Sequence, residues 1–345
     1  MVSALPQPVV ARETITTMDS GLLPQKQKAP FQILALDGGG FRGMFEAVVL
    51  SIWEQQLGHP ITDHFDLIVG TSTGGIIALG LAAGLPASDL VDFYRIDGKE
   101  IFPSVWSPRR TFRGPLQYML SKFGPGRLER ALKARLPNVT MANLKKPVVI
   151  TSFNLASGRH WFFKTPHFPD NLIDAHRPIW EVARATSAAP TYFPAFRSSR
   201  NELFIDGGLV ANNPSLIGYF EVHVNFPAFK EDIKILNIGT EGGECPPHKW
   251  WLPRGGLLPW AKSAPGVLMQ AQAVSTEALM GRLLGPDGWL RVKPEHGRDF
   301  APLDVYDAAL YEGIGATQAA RFYNDANRVF FQHAARAGLV QQFSK

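Results

Sequence analysis

The chain has 345 residues, room for one large domain or two modest ones. Apolar residues make up 45% of it, with 23 Phe and 8 Trp, which excludes a disordered chain. The formal net charge is +5 and no Lys/Arg run reaches five residues, so no nucleic-acid polymer is expected as a partner, although an anionic surface or ligand is favoured.

The one cysteine, Cys245, excludes an intramolecular disulfide and a Cys-rich zinc site, and it fits a reducing compartment. The opening stretch MVSALPQPVVARETITTMDSG has no basic n-region and no apolar h-region, so no secretory signal is expected. Residues 1–30 contain Pro and Gln without apolar periodicity and read as a loose tail.

FQILALD (31–37) then reads as a buried strand stopped by glycines. MFEAVVLSIWEQQLG (44–58) has helical spacing, with Gly58 as its C-terminal cap. FDLIVG (65–70) is a second buried strand and GGIIALGLAAG (74–84) a helix of small residues. Residues 67–88 carry no charge, but Gly70, Gly74, Gly75, Gly80, Gly84 and Pro86 favour strand, turn and helix over a membrane span. A helix is expected over 87–102, strands over 147–154 and 160–164, a helix over 178–189, and strands over 203–208 and 233–240. Strands alternating with helices predict an α/β fold with a sheet covered on both faces. Residues 241–265 are rich in Pro, Gly and Trp, and helices follow at 266–283 and 315–337. The segment after 240 either completes the domain of residues 31–240 or caps it.

Three glycine-rich turns carry the chemistry. The first, DGGGFRG (37–43), joins strand to helix and contains a GxGxxG pattern. A dinucleotide site would need an acid near the end of the second strand, where Thr71-Ser72-Thr73 stands instead. Its bare N–H groups suit an anion, and hence an oxyanion: Gly39 and Gly40 foremost, with Gly38 beside them. Arg42 in the next turn is suited to a loop carboxylate, a substrate phosphate or a structural salt bridge. The second turn, GTSTG (70–74), is a GxSxG between strand and helix, the context of a nucleophile elbow with Ser72 at its apex. The third, DGGLVANNP (206–214), places Asp206 at the end of a strand, at the edge of the sheet where Ser72 would lie; by itself a turn aspartate explains it.

Together and in this order the three resemble the patatin-like phospholipase family, whose marks are DGGGxRG, GxSxG and DG[AG]. ATSAAPTYFPA (185–195) and LVANNPS (209–215) also look like family segments. The resemblance covers about residues 31 to 240 and implies a three-layer sandwich with a central, mostly parallel sheet. It implies a Ser–Asp dyad, with Ser72 attacking an ester carbonyl, Asp206 as general base and then acid, and Gly38, Gly39 and Gly40 holding the oxyanion. It implies no cofactor and no metal. A Ser–His–Asp triad is the alternative, with His223, His248, His296 and His333 available.

HKWWLPRGGLLPW (248–260) mixes Trp with positive charge. Lys249, Trp250, Trp251 and Arg254 are candidates for a lid, a membrane contact or a nucleotide contact, against the alternative that the Trp side chains plug the core. A looser resemblance, to the patatin effectors of bacterial cyclic-nucleotide anti-phage systems, implies a cyclic-nucleotide activator and a phospholipid membrane as target. The protein would then be cytoplasmic and act at the inner face of the membrane; an oligomer stays open. Housekeeping lipid turnover and a delivered toxin are the other hydrolase readings. A phosphate-binding module, with Ser72 merely a donor, is the non-enzyme one.

Overall fold

Alternation along β1 (Phe31–Leu36) decides the layering of the molecule. Leu34 and Leu36 enter one apolar cluster, and Phe31, Ile33 and Ala35 enter another. The same division recurs on β2 (Leu67–Gly70), β3 (Val148–Asn154) and β7 (Ile233–Ile238): Ile68, Val148, Ile150, Leu236 and Ile238 face one cluster, and Leu67, Val69, Val149, Ile233 and Ile235 the other. Successive strand side chains point to opposite faces, so a strand apolar at every position needs cover on both. The computed structural model describes residues 29–102, 121–168, 172–240, 257–295 and 306–340, without the side chains of 257–263.

The sheet has eight strands in the order β5-β6-β3-β2-β1-β7-β8, with β4 (Arg159–Lys164) paired to β3 off this path. Pairs β1–β2, β1–β7, β2–β3 and β7–β8 are parallel, and β3–β4, β3–β6 and β5–β6 antiparallel. β5 is Phe196–Arg197, β6 is Leu203–Asp206 and β8 is Trp289–Val292.

The two edges of β3 set the geometry of the site. β4 runs along one edge from Val149 to Asn154. The other edge is therefore shared: β2 takes Val148–Ile150 and β6 takes Ser152–Asn154. β2 runs with β3 and ends at Gly70 opposite Ile150, while β6 runs against it and ends at Asp206 opposite Ser152. Two strand ends thus point at each other across Thr151. Parallel strands alone would set the ends side by side; the antiparallel β6 brings Asp206 head-on to the Ser72 turn.

Helix α1 (Gly43–Leu57) closes at Gly58, whose φ of 76° is the left-handed cap that the sequence predicts. α2 (Thr73–Ala83) is buried along almost its whole length, which its run of small residues permits. The helix expected over 87–102 is α3 (Ala87–Asp92), a π-turn at Phe93–Asp97, and α4 (Gly98–Ile101). α5 (Pro125–Arg135), unexpected from the sequence, buries Leu128, Ala131 and Leu132, an i, i+3, i+4 stripe begun by Pro at the first turn. α6 (Ile179–Thr186), the short α7 (Gly208–Ala211) and α8 (Ser215–Asn225) complete the set up to β7.

Beyond residue 240 the expected helices move. The first is α9, Leu257–Gly288, interrupted at Gly285, and Pro265 lies within it rather than before it. The second is α10, Ala308–Val329, which starts earlier because Asp307 caps it by accepting the Leu310 N–H at 3.1 Å. β8 joins β7 in the same sheet, and α10 lies along α1, where the Trp53 indole donates to Ala319 O at 2.9 Å.

Candidate active site

Ser72 stands where β2 turns into α2, with φ 52° and ψ −119°. A non-glycine residue in this region is strained, at a cost of about 1–3 kcal/mol, and persists because its surroundings hold it. The Ser72 N–H donates to Thr186 Oγ1 at 2.8 Å. The flanking glycines are needed for backbone approach: a Cβ on Gly70 would lie 2.6 Å from Gly74 O, and one on Gly74 would collide with Leu36 O. No side chain fits either place.

The Ser72 hydroxyl donates to Asp206 Oδ2 at 2.7 Å. Asp206 Oδ1 accepts the Gly208 N–H at 2.7 Å, so both carboxylate oxygens are engaged. Ser72 is 6% exposed and Asp206 1%. Burial pushes the Asp206 carboxyl up to about 6, opposed by the Gly208 N–H, the Ser72 hydroxyl and the Arg184 charge. An ordinary aspartate near ~4 is a weak base; one near this value is a stronger base that is still ionised at neutral pH.

Thr186, at the end of α6, joins the two halves. Its hydroxyl takes the Ser72 N–H, and its carbonyl takes the Gly207 N–H at 3.2 Å. Thr71 does the same from below, with Oγ1 2.7 Å from Thr151 Oγ1 and donating to Ala211 O at 2.6 Å. Sequence reading noticed the ATSAAP segment but had no signal that Thr186 touches the serine.

The Gly38–Gly40 loop lies against both turns. Asp37 O accepts the Gly74 N–H at 3.2 Å, and Gly38 O accepts the Thr240 hydroxyl at 2.5 Å. The Gly38 N–H donates to Asn212 O at 2.9 Å, which removes it from the three donors expected for an oxyanion. The amides of Gly39 and Gly40 have no acceptor among the described residues. Gly40 has φ 59°, a conformation that favours glycine. Arg42 donates from Nε to Gly39 O at 3.4 Å and so bears on this loop.

Of the histidines considered as a triad base, His223 is exposed on α8 and stacks on Tyr219, and the His333 carbonyl is 2.8 Å from His64 Nδ1. Neither meets Ser72 or Asp206. His248 and His296, and the lid candidates Lys249, Trp250, Trp251 and Arg254, lie outside the described residues. Among the described residues no group of His, Cys, Asp and Glu is arranged to hold a metal, and no helix is long and apolar enough to cross a membrane.

Sheet, elbow and buried carboxylate make an α/β protein with a serine hydroxyl bonded to an aspartate at a strand-to-helix turn. The chain belongs to the patatin-like phospholipase family, whose model matches residues 34–217. It is 37% identical over 325 residues to a cGAMP-activated phospholipase of Pseudomonas aeruginosa, a match covering 91% of each chain. It is 41% identical over 240 residues to a cGAMP-activated phospholipase of Vibrio cholerae, covering 63% of this chain and 66% of that one. Among solved structures, VipD from Legionella pneumophila aligns over 86% of this chain and 67% of its own, at 13% identity and TM-score 0.47.

Proposed function

We propose that this protein is a lipid acyl hydrolase of the phospholipase A type that works by a Ser72–Asp206 dyad and is switched on by a cyclic nucleotide. The observation that carries the chemistry is the 2.7 Å bond from the Ser72 hydroxyl to a buried Asp206 carboxylate, made at a strained strand-to-helix turn. Asp206 takes the hydroxyl proton as Ser72 Oγ attacks the acyl carbonyl. The amides of Gly39 and Gly40 receive the oxyanion. Asp206 returns the proton to the departing lysophospholipid oxygen, leaving acyl-Ser72. Water then gives its proton to Asp206 and attacks the acyl group, and the fatty acid leaves as Ser72 regains its hydrogen.

The switch is supported by the names of the two bacterial relatives. In this reading the enzyme is cytoplasmic, meets phospholipid at the inner face of the membrane and serves in defence against phage. Arg42 steadies the oxyanion loop through Gly39 O. Lys249, Trp250, Trp251 and Arg254 are assigned to membrane or nucleotide contact on composition alone.

Fatty-acid release from phospholipid liposomes tests this, with wild type, Ser72→Ala and Asp206→Asn, each with and without cGAMP. Release only by wild type and only with cGAMP is expected. Equal release without nucleotide would make the enzyme constitutive. Silence together with no fluorophosphonate labelling at Ser72 would favour a phosphate-binding module.

A further inference from the structure

Arg291 lies on β8, beyond the stretch matched by the family model, and its side chain is 4% exposed. It is a guanidinium held between two carboxylates. Nη2 is 2.9 Å from Asp37 Oδ2, and Nε is 3.2 Å from Glu277 Oε2 on α9. Nη1 donates to Asn237 Oδ1, and Asn237 Nδ2 in turn donates to Asp37 Oδ1 at 2.7 Å. One carboxylate oxygen of Asp37 thus accepts a hydrogen bond from Asn237, and the other meets the Arg291 guanidinium at ion-pair distance. The backbone of Asp37 is held as well: its N–H donates to Glu46 Oε1 at 2.9 Å and its carbonyl takes the Gly74 N–H. Gly239 keeps the space clear, since a Cβ there would lie 2.7 Å from Arg291 Nη2.

Asp37 is the residue before Gly38, so its orientation sets where the Gly39 and Gly40 amides start. A buried ion pair is a poor device for stability alone, because desolvation offsets most of its attraction. What the guanidinium supplies is a charge fixed in place, hydrogen-bonded to Asn237 and ion-paired to Asp37 on one side and Glu277 on the other. We propose that Arg291 is a positioning residue for the oxyanion loop: acting through Asp37, it holds the Gly39 and Gly40 amides at the place where negative charge develops. Glu277 sets the guanidinium from its other side and is itself held by Lys293 Nζ at 2.7 Å. The same helix reaches the Asp206 turn, where Gln272 Oε1 accepts the Asn213 N–H at 3.0 Å. One C-terminal helix thus touches both halves of the site.

The inference rests on the hydrolase reading above, and the test separates the two. Wild type, Arg291→Lys, Arg291→Met and the double variant Arg291→Met/Asp37→Asn are assayed on p-nitrophenyl butyrate with cGAMP present. Active sites are counted by end-point fluorophosphonate labelling at Ser72, with Ser72→Ala as blank. Per labelled site, kcat is expected to fall about tenfold or more in both single variants, with KM within about twofold, as for loss of a preorganised oxyanion donor. Arg291→Lys keeps the charge but not the planar group that meets Asp37, Asn237 and Glu277 at once, so it carries the test even if Arg291→Met folds poorly. The double variant, which leaves no unpaired charge at Asp37, is expected to recover thermal stability without recovering kcat. Wild-type kcat per labelled site in Arg291→Lys, or joint recovery of stability and kcat in the double variant, overturns the proposal and makes the pair purely structural. A wild type that neither labels nor turns over removes the hydrolase reading, and with it this one.

Discussion

At the scale of single residues, burial decides protonation. In the proposed mechanism the Asp206 carboxyl, raised to about 6, must be ionised to accept the Ser72 proton. The rate constant kcat/KM on a soluble ester is therefore expected to rise through an acid limb centred near pH 6 and to level off above it. An acid limb near ~4 would mean that Asp206 titrates as an ordinary aspartate. Glu46 is a second case. It is fully buried beside Asp37, and desolvation first, then the Asp37 charge, push its carboxyl well above the usual range. A carboxyl raised on folding binds its proton more tightly in the folded state than in the unfolded chain. The stability contributed is complete below the unfolded value and declines as pH rises toward the folded one. Glu46→Gln keeps an oxygen for the Asp37 N–H and removes the titration. Its melting temperature is expected to vary less with pH than that of wild type above pH 5, by scanning calorimetry; parallel curves would show that Glu46 is charged in the folded protein.

At the scale of elements, the end of α6 ties the Ser72 turn to the Asp206 turn through one threonine. Thr186→Val keeps shape but leaves the buried Ser72 N–H without its acceptor, a loss of about 1–3 kcal/mol. Thermal stability and kcat are both expected to fall, whereas Thr186→Ser should keep both near wild type; an active Thr186→Val would mean that the elbow holds itself. The glycine signals were legible here. GxSxG predicts a turn with no room for side chains, and Gly70 and Gly74 sit where any Cβ meets backbone. The helix α5 carried an equally plain stripe at Leu128, Ala131 and Leu132 and was missed, because the Pro-Gly pair that opens it reads as loop. β5 had no such signal: two residues are too few for a period to repeat.

At the scale of the molecule, the described residues after 240 share the core, Val292, Tyr311, Ala319 and Phe330 among them. Val48 and Trp53 on α1 are covered by α10, whose Gly315 lies so close that a Cβ would meet Val48 Cγ1 at 2.7 Å. A chain truncated after residue 305 is expected to lose cooperative unfolding and to expose the α1 face, read by circular dichroism and dye binding. A truncated chain with a wild-type melting curve would make α10 an appendage. Composition and periodicity foretold the alternation of strands and helices and the order of the three turns, because those depend on residues near one another in the chain. The pairing of Ser72 with Asp206 was implied by the family resemblance and not by composition or periodicity. The head-on meeting of β2 and β6 was decided only by the register of β3, which one sequence does not reveal. The Gly38 amide was lost to Asn212, Thr186 became the link, and Arg291 reached Asp37, each through a contact between distant parts of the chain. The Ser72–Asp206 bond itself spans 134 residues and the Ser72–Thr186 bond 114. Local chemistry names the groups that can react, but which buried donor meets which buried acceptor is settled when the sheet closes and every polar group inside it must find a partner.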